Sequence, residues 1–228
     1  MALSVFDLFR VGIGPSSSHT VGPMKAARRF VAALADGGHL ARVGSVRVEL
    51  FGSLGATGHG HGSVAAVVLG LMGEDPETVD PPSVRPLVDA VRDTRLLTLA
   101  GGPTIAFDPE EDVGLHRRRT LPVHSNGMLF TARDAAGAEL AQRTYYSVGG
   151  GFVLDESETG PGRIVADATA LPYRFRSGEE LLAHCAATGF SVARLMRENE
   201  RSWRTDAEID AGLLHVWDVM QECIHHGM

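Results

Sequence analysis

Serine, threonine and histidine side chains cluster close to the start of the chain. Residues 12–25 read GIGPSSSHTVGPMK, and the pattern predicts a helix over residues 21–35. A helix start of this kind presents free backbone N–H groups, hydroxyl donors and the positive end of the helix dipole. The pattern therefore favours the binding of a small anion, such as a carboxylate or a phosphate. An ordinary serine-capped helix start with no ligand explains the same residues.

A second, glycine-rich stretch carries two histidines on alternate positions. Residues 52–63 read GSLGATGHGHGS; they follow a predicted strand at 46–51 and precede an apolar run at 64–72 that predicts a helix. Repeated glycines let a backbone approach a ligand closely. The spacing matches neither a phosphate-binding P-loop nor the dinucleotide fingerprint. His59 and His61 also permit a divalent metal site or a purely structural role, although no carboxylate or third histidine stands near them in the sequence.

Two further stretches combine polar side chains with turn signals. Residues 121–128 read LPVHSNGM, and an Asn-Gly pair next to strand-like residues is typical of a hairpin turn. Residues 145–152 read YYSVGGGF, where a strand-like run ends in three glycines. Taken alone, the first of these stretches is predicted to be a hairpin tip.

Composition excludes several classes of function. The chain has 228 residues and a formal net charge of -7, which argues against binding to nucleic acid. No apolar stretch reaches the length of a membrane span, and no secretory leader is evident. Cys185 and Cys223 stand far apart without other thiols, so they do not form a disulfide framework. We expect a cytoplasmic protein with neither a nucleic-acid nor a membrane partner.

Helical and strand-like patterns together predict an α+β fold, with helices packed on a mostly antiparallel sheet. The predicted strands cover residues 43–51, 96–100, 104–107, 127–133 and 139–148. Further helices are predicted at 84–94, from 177 onward, at 192–200 and at 208–224.

The polar, proline- and glycine-rich stretch at 156–173 predicts a linker. It separates an α+β domain at residues 1–155 from an incomplete all-helical segment at 174–228.

The four stretches, in this order, resemble those of the iron–sulfur-dependent L-serine dehydratases, also called L-serine ammonia-lyases. The resemblance is to the single-chain bacterial form and extends over essentially the whole chain. It is most specific in the first two stretches. It implies a homodimeric lyase that converts L-serine to pyruvate and ammonia, with an open iron of a [4Fe-4S] cluster acting on the serine hydroxyl.

The same resemblance implies that this chain is the front part of a longer enzyme. A four-iron cluster needs three or four thiolates, which two distant cysteines do not provide. The cluster ligands are therefore expected outside this chain, in a helical domain that begins within residues 174–228. We expect the fragment to be inactive alone.

Roles for individual residues follow from this resemblance. A histidine suits the base that removes the α-proton, because its pKa lies near neutrality. His61 is the first candidate, since it lies at the mouth of the glycine-rich turn, and His59 and His19 come next. The residues expected to hold the carboxylate and amino groups of serine are Ser16, Ser17, Ser18, Thr20, His124 and Asn126.

Two alternatives remain open from the sequence. The α+β domain could be a serine-sensing regulatory or assembly module, with catalysis in another segment or subunit. The enzyme could also be a related hydroxy-acid dehydratase or an amino-acid lyase with another substrate.

Overall fold

A computed structural model describes residues 4–158 and 169–228, and these residues form two compact units. One unit contains residues 12–158. The other combines residues 4–11 with residues 169–228. The sequence analysis did not anticipate that the first residues belong with the C-terminal helices. Part of the predicted linker, residues 159–168, lies outside the described residues.

The larger unit begins with a π-helical turn at Ser17–Val21 that runs directly into a long α-helix. The helices are α2 (Gly22–Asp36), α3 (Gly52–Thr57), α4 (Ser63–Met72), α5 (Pro81–Thr94) and α6 (Pro109–Asp112), α1 (Val5–Leu8) being in the other unit. The strands are β1 (Val43–Phe51), β2 (Leu96–Thr98), β3 (Thr104–Ala106), β4 (Val113–His116), β5 (Gly127–Asp134), β6 (Glu139–Gly149) and β7 (Phe152–Asp155).

Five strands form the main sheet, in the order β4-β1-β5-β6-β7. β1 is parallel to β4, and every other neighbouring pair is antiparallel. β2 and β3 form a separate antiparallel pair. The predicted mixed fold with a mostly antiparallel sheet is thus confirmed. The predicted hairpin tip at residues 121–128 is wrong, because this stretch joins β4 to β5, which flank β1 on opposite sides.

The core explains why these segments adopt their elements. In β1, Val46, Val48 and Leu50 are buried while Arg47 is exposed, the period-two alternation of a half-buried strand. α4 is buried around nearly its whole circumference, as its apolar composition requires. A Cβ at Gly70 would lie 2.2 Å from the carbonyl oxygen of Met24, so this glycine allows α4 to pack closely on α2.

The second unit is helical and contains α1, α7 (Gly178–Thr188), α8 (Val192–Glu200) and α9 (Asp206–Gly227). Ser177, Ser191 and Thr205 cap the last three of these helices through their side-chain oxygens. The N-terminal segment is held by Glu200, whose buried carboxylate accepts a 2.7 Å hydrogen bond from the Ser4 hydroxyl. None of the helices in the described residues is both long and apolar enough to cross a membrane.

Candidate functional site

The serine-rich stretch forms the first turn of the long helix, as a π-helical rather than an α-helical turn. Ser16 caps it: its hydroxyl oxygen accepts a 3.2 Å hydrogen bond from the backbone N–H of His19. Its carbonyl oxygen accepts from the N–H groups of both Thr20 and Val21, 2.9 and 3.3 Å away. π-helical turns are rare and occur often at functional sites. The backbone of the turn lies beside β6 and α4.

Pro23 leaves two carbonyl groups of this turn without their usual donors. Proline has no N–H, so it cannot donate the α-helical hydrogen bond to the carbonyl of His19, four residues earlier. It also cannot donate the π-helical hydrogen bond to the carbonyl of Ser18, five residues earlier. Two buried serines from elsewhere in the fold donate instead. The hydroxyl of Ser63 lies 2.6 Å from the carbonyl oxygen of His19, and the hydroxyl of Ser147 lies 2.8 Å from that of Ser18.

The imidazole of His19 lies between two serine hydroxyls. Its Nδ1 is 2.8 Å from the hydroxyl of Ser18, and its Nε2 is 2.8 Å from the hydroxyl of Ser53, at the start of α3. Burial, helped by the neighbouring His61, lowers the pKa of His19 below its ordinary value. Burial thus favours the neutral imidazole of His19. In that form one ring nitrogen donates a hydrogen bond to its serine and the other accepts one.

His61 lies next to His19, with 5.1 Å between the ring centroids. Its carbonyl oxygen accepts a 2.8 Å hydrogen bond from the hydroxyl of Thr20, so the two histidine-bearing stretches are tied together in both directions. Gly62, with φ of 68°, makes the left-handed bend that ends this turn and starts α4. The Nδ1 atom of His61 is buried and has no hydrogen-bond partner among the described residues.

Asn126 and His124 join this cluster through β6. The backbone N–H of Asn126 donates to Nδ1 of His124 at 3.1 Å. The side-chain amide of Asn126 donates to the carbonyl oxygen of Ser147 at 3.2 Å, and the N–H of Ser147 donates back to the carbonyl oxygen of Asn126 at 3.0 Å. The side-chain oxygen Oδ1 of Asn126 is buried and, within the described residues, unpaired.

Most of the predicted site residues are thus connected by a chain of short contacts. Ser16, Ser18, His19, Thr20 and His61 form one part, and Asn126 and His124 are linked to it through Ser147. Two of the predicted site residues, Ser17 and His59, have exposed side chains that do not take part in the contacts described above.

Sequence reasoning missed three serines that hold the site together: Ser53, Ser63 and Ser147. Each lies within one of the stretches singled out in the sequence analysis, but the fact that it is a serine does not reveal which group it hydrogen-bonds. Pro23 is the signal that could have found two of them, because a proline just after a helix start leaves earlier carbonyls in need of outside donors.

The described residues do not fit an iron–sulfur cluster. They contain no group of three or more histidine, cysteine, aspartate or glutamate side chains able to hold a metal ion. Cys185 is half-buried, Cys223 is exposed, and both are free thiols. Three or four thiolates are needed for a four-iron cluster.

Comparison with known proteins identifies the class to which this fold and site belong. Residues 4–158 match the serine dehydratase beta chain family, and the chain belongs to that family.

Three relatives show how far the similarity extends. The chain is 56% identical to an L-serine dehydratase of Streptomyces coelicolor over 228 residues, 100% of this chain and 50% of that protein. It is 45% identical to one from Mycobacterium tuberculosis over 98% of this chain and 48% of the relative. It is 43% identical to L-serine dehydratase 1 of Escherichia coli over 99% of this chain and 49% of that protein. The chain therefore spans about half the length of the curated relatives it matches.

Proposed function

We propose that this chain supplies the substrate-binding and proton-accepting part of an L-serine dehydratase, which deaminates L-serine to pyruvate and ammonia. The observation that carries the proposal is the pair of adjacent imidazoles, His19 and His61, at a serine-rich helix start. The names of the relatives support serine as the substrate. The complete enzyme contains further residues beyond this chain.

The helix start binds the carboxylate of the substrate. Its N–H groups and the positive end of the helix dipole attract an anion, and Ser16, Ser17 and Ser18 add hydroxyl groups. The hydroxyl proton of Thr20 is already donated to the carbonyl oxygen of His61, so Thr20 contributes by fixing the backbone of that residue.

His61 accepts the α-proton. A base gains a positive charge in that step, which a charged neighbour 5.1 Å away would oppose. Because burial holds the pKa of His19 low, His19 stays neutral and permits His61 to become protonated. His19 and the exposed His59 remain the second candidates for the base.

The cofactor and partners belong to the same proposal. A [4Fe-4S] cluster is held by residues outside this chain, in a helical domain that packs against the second unit. The apolar side chains on α9 that support such packing are the exposed Leu213, Leu214, Trp217, Met220 and Ile224. The complete enzyme is a cytoplasmic homodimer.

Turnover by the complete enzyme tests the proposal. L-serine, L-threonine and D-serine are compared as substrates, first with the wild type and then with Ser18→Ala. Ser83→Ala is the matched control, because the hydroxyl of Ser83 bonds the carbonyl of Asp80 far from the site in sequence.

The expected result is preferred turnover of L-serine by the wild type. In Ser18→Ala the KM for L-serine should rise about 10-fold, because one hydrogen bond to the charged carboxylate is lost. Ser83→Ala is expected to behave as the wild type. An unchanged KM with an altered shape of the saturation curve would support the serine-sensing regulatory module instead. Absence of pyruvate formation from L-serine by the wild type would refute the proposed activity.

A further inference from the structure

The short helix α1 and the serine that caps it form a turn that closes on itself. The backbone N–H of Ser4 donates to the carboxylate of Asp7 at 3.1 Å, and the hydroxyl of Ser4 accepts from the N–H of Phe6 at 3.1 Å. These two bonds are a capping box. Residues 4–11 lie in the same compact unit as α7, α8 and α9. This N-terminal segment therefore brings its own hydrogen bonds to the helices on which it lies.

The carboxylate of Glu200, the last residue of α8, is completed by that segment. Glu200 is 2% exposed. Its Oε1 accepts from the hydroxyl of Ser4 at 2.7 Å and from the guanidinium of Arg204 at 2.6 Å. Its Oε2 accepts from the backbone N–H of Val5 at 3.0 Å and, within the described residues, from no other donor. Because a buried carboxylate is costly unless its oxygens are hydrogen-bonded, the helices alone leave Oε2 in need of a partner.

The ring of Phe6 lies between Arg204 and α9. The guanidinium carbon of Arg204 is 4.7 Å from the ring centroid, a distance typical of a cation–π contact. On α9, a Cβ at Gly212 would lie only 2.6 Å from the ring. A glycine inside a helix is destabilising relative to alanine, and the close approach of Phe6 supplies a reason for this one.

We propose that the end of α8 and the first two turns of α9 form a peptide-binding site whose ligand is the N-terminal segment of this chain. The site recognises three features in succession, which are the hydroxyl of Ser4, the backbone N–H of Val5 and the ring of Phe6. The capping box preorganises the segment, so little conformational entropy is lost when it docks. The same site therefore binds this segment when it is supplied as a separate peptide.

Proteolysis of the full-length protein tests the docking of the segment. Release of the segment makes the peptide bond after Arg10 accessible to trypsin, and the cleavage rate follows the population of the released form. The rate is measured for the wild type, for Phe6→Ala and for Gly212→Ala. Leu8→Ala is the matched control for the first variant, because Leu8 is 67% exposed. Gly178→Ala, with open space around its Cβ, is the control for the second.

Cleavage after Arg10 should be roughly 10-fold faster in Phe6→Ala, which loses the contact with Arg204. It should be faster by at least about the same factor in Gly212→Ala, whose methyl group takes the place of the ring. Both controls should stay within about twofold of the wild type. Equal rates in Phe6→Ala and Leu8→Ala would overturn the inference, and so would an unchanged rate in Gly212→Ala.

Binding of a separate peptide tests recognition by the site itself. The probe is MALSVFDLFRV, the sequence of residues 1–11, with a dye at its C-terminal end and fluorescence anisotropy as the readout. The full-length protein carrying Ser4→Ala with Phe6→Ala should bind this peptide at least about 10-fold more tightly than the wild type, whose own segment fills the site. Its melting temperature verifies folding.

No saturable binding to the double variant, or equal binding to both proteins, would overturn the inference. A peptide with Phe6→Ala should bind roughly 10-fold more weakly than the unaltered peptide, and equal binding of the two peptides would also overturn it. Neither readout depends on the formation of pyruvate, so a failure of the proposed function would leave this inference standing.

Discussion

Replacing Ser63 by alanine removes the hydroxyl that donates to the carbonyl oxygen of His19 at 2.6 Å. That carbonyl cannot receive an α-helical hydrogen bond from Pro23, which has no N–H. Ser63 is fully buried, so solvent does not readily replace the lost donor. The substitution therefore leaves a backbone acceptor poorly paired at the start of the long helix.

The magnitude follows from these contacts. A hydrogen bond contributes about 0.5–1.5 kcal/mol net, and a buried group left unpaired costs about 1–3 kcal/mol. Ser63→Ala should lower the free energy of unfolding by about 1–3 kcal/mol. Ser83→Ala is the matched control. The carbonyl of Asp80 keeps its bond from the backbone N–H of Ser83 at 2.9 Å, so a change within about 0.5 kcal/mol is expected.

Urea unfolding followed by circular dichroism gives both values, and a double-mutant cycle isolates the cause. Pro23→Ala restores an N–H four residues after His19. In that background Ser63→Ala should cost less, with a coupling energy of about 1 kcal/mol between the two sites. A cost of Ser63→Ala no larger than that of Ser83→Ala would refute the reasoning. An equal cost with and without Pro23 would also refute it.

Three other outcomes follow from the structure. Because the pKa of His19 is lowered, the unfolded chain binds a proton there that the folded chain does not. The stability linked to this group is therefore fully present above its ordinary pKa and is lost progressively as pH falls toward the folded value. His19→Gln should show a smaller fall in melting temperature than the wild type between about pH 7.5 and pH 5, and an equal fall would contradict this. Gly22→Ala should lower the free energy of unfolding by about 1–3 kcal/mol, because a Cβ would lie 2.1 Å from the buried hydroxyl of Ser147. Gly178 has open space around it, so Gly178→Ala should leave the stability unchanged, and equal melting temperatures of the two variants would contradict the close approach at Gly22. Cys185→Ser with Cys223→Ser should leave the iron content of the complete enzyme unchanged, and loss of iron would show that a cluster ligand lies in this chain.

The main helices and strands could be predicted from the sequence because their patterns reflect burial. The alternation in β1 and the continuous apolar run of α4 each indicate the correct element. β4 and β7 were missed, because these two edge strands of the main sheet show no clear alternation of buried and exposed residues.

The candidate site was predictable as a set of residue types but not as a network. The first two stretches indicate hydroxyl and imidazole chemistry through composition alone. The pairing of Ser147 with Ser18 joins residues 129 apart in the chain, and such a contact follows from tertiary packing. The sequence predicts a helix from residue 21 onward but not the π-helical turn before it, because the geometry of that turn depends on Pro23 and on donors from distant segments.

The most direct test of the central claim is the turnover number for L-serine of the complete enzyme carrying His61→Ala. If His61 accepts the α-proton, kcat should fall by about 10²- to 10⁴-fold, the usual contribution of a general base, while serine still binds. His59→Ala separates His61 from the second candidate two residues away: if His61 is the base, kcat of His59→Ala should stay within about twofold of the wild type. A His61→Ala enzyme with wild-type kcat would contradict the account and assign the proton transfer elsewhere.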